Sequence, residues 1–171
     1  NIDANSSTLS LASGVVLSSA GALTLAASNA SSLGNLTLTS TGSTVKINSA
    51  LTSTGAVDMT ANSGLFLNNS KLTGAGNISL QGGSGLTLVN DIGITSSAGN
   101  ITLGASGGSI TANGALTLSS NGSITVSNAL KSAGEATLNA NSGITFGKNF
   151  TTNGALTLDS DLDNNGSGDF I

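Results

Sequence analysis

Apolar and polar residues alternate along this chain in short runs, and the runs recur. One motif reads Gly-x-apolar-polar-apolar: GALTL from Gly21, GNLTL from Gly34, GAVDM from Gly55 and GNISL from Gly76. It continues as GNITL from Gly99, GALTL from Gly114, GEATL from Gly134 and GALTL from Gly154. Most intervals are close to one length, and two are short, Gly21 to Gly34 and Gly99 to Gly114. A second run recurs about midway between Gly motifs, as SGVVL from Ser13 ahead of the first, STVKI from Ser43, SGLFL from Ser63 and SGLTL from Ser84. It returns as GSITA from Gly108, GSITV from Gly122 and SGITF from Ser142. A third, shorter element centres on Leu51, Leu72, Ile94, Leu130 or Phe150. Alternation with period two predicts strands with one buried and one solvated face. No stretch holds an apolar period of 3.6, and Gly and Ser recur too often for helix.

Three short strands per repeat of roughly 20 residues predict an all-β solenoid, a parallel β-helix of about eight rungs over residues 1–171. A single rung cannot bury its inner face, whereas stacked rungs share one core. The first motif is read as one strand position, with inward pairs Leu23/Leu25, Leu36/Leu38, Val57/Met59, Ile78/Leu80, Ile101/Leu103, Leu116/Leu118, Ala136/Leu138 and Leu156/Leu158. On that reading the two short repeats drop a strand or part of a corner. Asn48, Asn69 and Asn90 recur at equal intervals. They either stack as an axial amide ladder or serve as ordinary turn residues. An antiparallel sandwich is the structural competitor; its spacing is less regular and it carries hairpin dipeptides.

Composition narrows the function classes. The 171 residues include no His, Cys, Pro, Trp or Tyr, and net charge is −4. Nucleic-acid binding needs a basic patch. Four Lys without Arg do not make one. The same balance disfavours anionic membranes, and no apolar run approaches the roughly 20 residues of a membrane helix. The lack of Cys rules out a disulfide scaffold and a thiolate metal site. The start at Asn1 reads as a processed or excised piece.

The phrases GALTL, GNITL, SGITF, NGSITV and GALTLDSDLDNNGSGDF resemble the repeats of filamentous-haemagglutinin-type exoproteins, the large passengers of bacterial two-partner secretion. The resemblance runs from about Leu9 to Phe170. It implies a right-handed parallel β-helix exported through an outer-membrane secretion pore. It further implies a secreted or cell-surface adhesin, with host-cell or matrix glycans and proteins as partners. The chain departs from the family in lacking a recognisable amino-terminal secretion domain and a terminal toxin. The expected role is a non-enzymatic structural or adhesive shaft, an interior segment of a longer rod. No amphipathic capping helix is legible at either end, so end-to-end self-association into a filament is the alternative.

Catalysis needs a positioned acid, base or nucleophile. Asp58 and Glu135 stand several rungs apart, so no carboxylate pair supports a polysaccharide-active enzyme. Oxygen ligands at alternate positions suggest calcium at Asp161, Asp163, Asn165 and Asp169, although no bidentate Glu follows. An ordinary acidic turn is the competing reading. Thr24, Thr37, Thr102, Thr117, Thr137 and Thr157 read as one outward column, which raises ice binding. The neighbouring outward positions do not match, and solvated Thr on a β-surface is the default. Asn-x-Ser/Thr triplets at Asn29, Asn35, Asn77, Asn100 and Asn149 are acceptor sequences that this composition also produces by chance. Lys46, Lys71, Lys131 and Lys148 read as surface charges that discourage sheet association.

Overall fold

The computed structural model describes residues 1–4, 7–68 and 71–171. The chain winds into a parallel β-solenoid of about 7 turns of ~21 residues, with three strands per turn and no helix among the described residues. Sheet A stacks Ile2–Asp3, Leu23–Ala26, Val45–Ile47, Gly64–Leu67, Gly85–Leu88, Ile110–Ala112, Leu130–Ser132 and Phe150–Thr152. Sheet B stacks Thr8–Leu11, Asn29–Ser32, Ala50–Ser53, Lys71–Gly74, Ile92–Ser96, Leu116–Ser120, Ala136–Ala140 and Leu156–Asp159. Sheet C stacks Val15–Ser19, Leu36–Ser40, Val57–Ala61, Ile78–Gly82, Ile101–Ala105, Ile124–Val126 and Ile144–Phe146. Every described pairing is parallel, which disposes of the antiparallel sandwich.

Register corrects the reading of the Gly motif as a single column. Leu23 and Leu25 lie in sheet A, beside Val45 and Ile47. Leu36 and Leu38 lie in sheet C, and their column continues through Val57/Met59, Ile78/Leu80 and Ile101/Leu103. Leu116/Leu118, Ala136/Leu138 and Leu156/Leu158 belong to sheet B. At each short spacing the motif recurs two strands on instead of three, passing from sheet A to sheet C and from sheet C to sheet B, and no strand is lost. The offset between register partners varies little, from Val45–Leu65 at its shortest to Leu86–Ile110 at its longest. All three faces place inward aliphatics beside a tight corner, so the same short phrase suits any of them.

The core is one axial column of aliphatics, from Leu23 to Ile144, nearly all under 3% exposed. Where each strand meets its corner, the inward position shrinks to Ser, Ala or Gly: Ser40, Ala61, Gly82 and Ala105 in sheet C, Ser53, Gly74, Ser96 and Ser120 in sheet B. A larger side chain would collide with the turning backbone. Close approach is literal at Gly83, where an added Cβ would strike the Asn62 carbonyl.

Corner lengths differ. Between sheets B and C three residues suffice at most turns, as at 33–35, 54–56 and 75–77. Between sheets A and B the corner lengthens from two residues, at 27–28 and 48–49, to three at 89–91 and 113–115. The last B-to-C connection departs most. After Leu156–Asp159 the chain follows a longer connection, whose Leu162 amide donates to the Ala140 carbonyl, and it rejoins sheet C at Phe170, which bridges Ile144 in parallel. Phe146 stacks on Phe150 at 5.2 Å and meets Phe170 edge-on at 5.8 Å, so three of the four phenylalanines close this end of the core.

Candidate functional site

The polar side chains that the fold organises are structural first. In the corners, a Ser or Thr lying two or three residues before a Gly turns inward and donates across the rung below. Ser53 Oγ donates to the Gly34 carbonyl at 2.6 Å, Ser96 Oγ to Gly76 at 2.8 Å and Ser120 Oγ to Gly99 at 2.7 Å. Ser40 and Thr152 bond likewise to Gly21 and Gly134. The same hydroxyls accept amide protons of their own corner, Ser53 from Gly55 and Ser96 from Gly99. A buried hydroxyl is tolerated because donor and acceptor functions are both used. Ser49 Oγ is buried and finds no partner among the described residues.

A second ladder uses the Asn that follows a corner Gly. Asn35 Oδ1 accepts the Ala56 amide, Asn77 Oδ1 accepts the Asn100 amide and Asn100 Oδ1 accepts the Ser123 amide, at 2.8–2.9 Å. Asp91 Oδ1 does the same for Ala115 at 2.8 Å between sheets A and B. The sequence reading missed both ladders, although Ser-x-Gly and Gly-Asn recur and were the available signal. Between sheets A and B, Asn48, Asn68 and Asn90 are linked, with one side chain-to-side chain bond and one to backbone. Asn68 Nδ2 donates to Asn48 Oδ1 at 2.9 Å, and Asn90 Nδ2 donates to the Asn68 carbonyl at 3.1 Å. Asn69, the expected middle member of the amide ladder, lies outside the described residues.

Two features of the surface depart from a plain rod. Where the A-to-B corner lengthens, a shallow open depression of about 680 Å³ forms, lined by Ser28, Ala50, Asn68, Asn90, Asp91 and Asn113 among others. The other is the long final connection, which holds Asp161, Asp163, Asn165 and Asp169. Asp161 accepts the Asn165 and Gly166 amides on its two oxygens, at 3.1 and 2.9 Å. Asp163 Oδ2 accepts from Asn165 Nδ2 at 2.8 Å, and Asn165 Oδ1 accepts the Ser167 amide at 2.8 Å. The Asp169 carbonyl accepts the Ile144 amide, tying the loop to sheet C. Among the described residues, no three acidic, His or Cys side chains gather as a metal-holding group.

The threonine column dissolves in register. Thr24 faces outward from sheet A beside Lys46; Thr37 and Thr102 belong to sheet C, where Asp58 and Ser79 separate them; Thr117, Thr137 and Thr157 belong to sheet B. Asp58 is exposed mid-face on sheet C, and Glu135 is exposed in an A-to-B corner. The four lysines are all exposed, with Lys46 Nζ 5.6 Å over the Phe66 ring.

Fold and side-chain ladders together define a β-helix repeat protein. No protein family, no curated protein and no solved structure matches the chain.

Proposed function

We propose that this chain is a non-enzymatic shaft of a secreted bacterial surface exoprotein of the filamentous-haemagglutinin type, a rigid spacer with an adhesive role. The observation that supports this reading is unbroken register. Every turn extends the same column of buried aliphatics, and Ser and Asn cross-rung bonds recur at several turns, so rigidity extends along the axis. Adjacent turns stack at the ordinary spacing of paired strands, about 4.8 Å, so the reach grows by that step with every turn added. On this reading the chain leaves the cell through an outer-membrane secretion pore, and host-cell or matrix glycans and proteins are the partners of the assembled exoprotein.

The test presents the purified chain, coupled to beads, to glycan-coated, matrix-coated and cell-covered surfaces, with parallel incubation in neutral and acidic polysaccharides. Bead retention without release of reducing ends supports an adhesive shaft. Absence of retention, with the chain rod-shaped in solution scattering, supports a passive spacer. Polysaccharide turnover would refute the proposal.

A further inference from the structure

We infer that Asn165 is a built site of self-modification, where the chain converts its own amide through a cyclic imide into aspartate or isoaspartate. Four Asn-Gly pairs occur, at Asn113, Asn121, Asn153 and Asn165. In such a pair the Gly amide nitrogen attacks the Asn side-chain carbonyl carbon, and the absence of a Gly side chain leaves the approach open. Only at Asn165, among the described residues, does the structure surround that reaction with the groups it needs.

The Gly166 N–H donates to Asp161 Oδ2 at 2.9 Å, which places a carboxylate on the proton the nucleophile must lose. The Ser167 N–H donates to Asn165 Oδ1 at 2.8 Å, so a backbone donor already sits where negative charge develops in the tetrahedral intermediate. Asn165 Nδ2, the leaving nitrogen, is held by Asp163 Oδ2 at 2.8 Å. Gly166 has φ +78°, and no described atom lies within 4 Å of its missing Cβ. Holding all parties in one loop replaces random encounter by fixed geometry.

The balance is simple. The bond from Gly166 N to Asn165 Cγ forms and the Cγ–Nδ2 bond breaks. Asp161 takes the amide proton, solvent returns it to the departing nitrogen, and ammonia leaves. A solvent water then opens the imide at either carbonyl, restoring an acid at position 165. The net reaction consumes one water and releases one ammonia.

The other three pairs lack the base among the described residues. The Gly122 amide is committed to the Gly99 carbonyl and Ser120 Oγ, and the Gly154 amide to Thr152 Oγ1. Asp91, the carboxylate beside Gly114, accepts from Ala115 instead. Conversion at Asn165 removes the donor held by Asp163 and adds a charge to a loop already holding Asp161, Asp163 and Asp169. That loop carries the chain to the Phe170 bridge on Ile144, so the modification loosens the last pairing of sheet C.

The experiment incubates the full chain at neutral pH and follows each Asn-Gly pair by peptide mapping, with isoaspartate read by enzymatic methylation. Asn165 is expected to convert first. Asp161→Asn keeps the shape but not the base, and is expected to slow Asn165 by at least about ten-fold, a threshold set below what general-base assistance typically supplies. Asp159→Asn removes an equal charge from the start of the same loop without touching the Gly166 amide, and leaves the rate within about two-fold if the base acts as described. Rates at Asn113, Asn121 and Asn153 report whether either variant disturbs the rod. The proposal is overturned if Asn165 converts no faster than those three. It is equally overturned if Asp161→Asn leaves the rate unchanged or raises it while the three controls hold steady.

Discussion

Truncating Leu80 to alanine tests whether the axial core holds this chain together. Leu80 is 1% exposed, on sheet C between Met59 one turn below and Leu103 one turn above, both 0% exposed. Losing three carbons forfeits roughly 2.4 kcal/mol of transfer free energy at about 0.8 kcal/mol per methylene. The stacked rungs above and below are tied by backbone bonds and collapse little. If about 50 Å³ remains void, the cavity adds about 1.2 kcal/mol. The expected loss is therefore about 3.5 kcal/mol, or about 7–14 °C in Tm for a domain of this size. Leu9 supplies the comparison, because it is only partly buried at the edge of the core and pairs with the smaller Ala30. Leu9→Ala is expected to cost about half as much, since less area leaves water and less void remains. Urea unfolding at equilibrium measures both. Equal losses at the two positions, or a loss under about 1 kcal/mol at Leu80, would show that stability does not reside in the stacked columns.

Other perturbations address the polar ladders and the surface. Ser53→Ala removes the donor to Gly34 and the acceptor for Gly55. The expected cost, read by urea unfolding, is about 1 kcal/mol for each bond lost. Ser49→Ala removes a buried hydroxyl with no described partner. It is expected to raise stability by up to about 1 kcal/mol; a loss of that size would mean the hydroxyl is bonded. Calcium titration followed by calorimetry is expected to give no binding tighter than about millimolar, the weak end for calcium modules. The reason is that both Asp161 oxygens already hold loop amides, so tighter binding would require that loop to reorganise. Deleting residues 37–57 joins Leu36 to Asp58 in the register that Val57 occupied, so it is expected to leave a folded solenoid one turn shorter by solution scattering. A deletion only as long as the interval from Gly21 to Gly34 is expected to abolish cooperative unfolding, since it matches no register offset.

What the sequence makes legible is everything that period two carries. Inward identity at Val57/Met59, Leu65/Leu67 and Ile124/Val126 follows from alternation, because a strand face is fixed two residues at a time. The number of strands per turn follows from the spacing of such runs. Which sheet a run joins does not follow, because GALTL from Gly21, Gly114 and Gly154 serves sheets A, B and B in turn. The phrase is a local rule for a corner and an edge, whereas face is set by the count of residues around the whole turn. Corner lengths of two to four residues move that count without altering any motif. The threonine column failed for this reason: it joined residues alike in phrase but unlike in face. The acidic loop was legible as a departure from the repeat, whereas its internal bonding depends on backbone angles, φ 54° at Asn164 and 78° at Gly166.

Equivalence of the faces also bears on where specificity can reside in such a rod. Cross-rung bonds from Ser32, Ser53, Ser96 and Ser120, with Asn35, Asn77 and Asn100, concentrate in the B-to-C corners, so change there costs fold. The outward residues of sheet A run Thr24, Lys46, Phe66, Thr87, Thr111, Lys131 and Thr151, threonines interrupted by Lys46, Phe66 and Lys131 and joined by no repeated cross-rung side-chain bond among the described residues. Features that break the repeat without breaking the core are then the places where function could be added at least structural cost. The A-to-B corner, free to lengthen by one residue, and the long connection after Asp159 both qualify, because each varies in length while the flanking pairings keep their register.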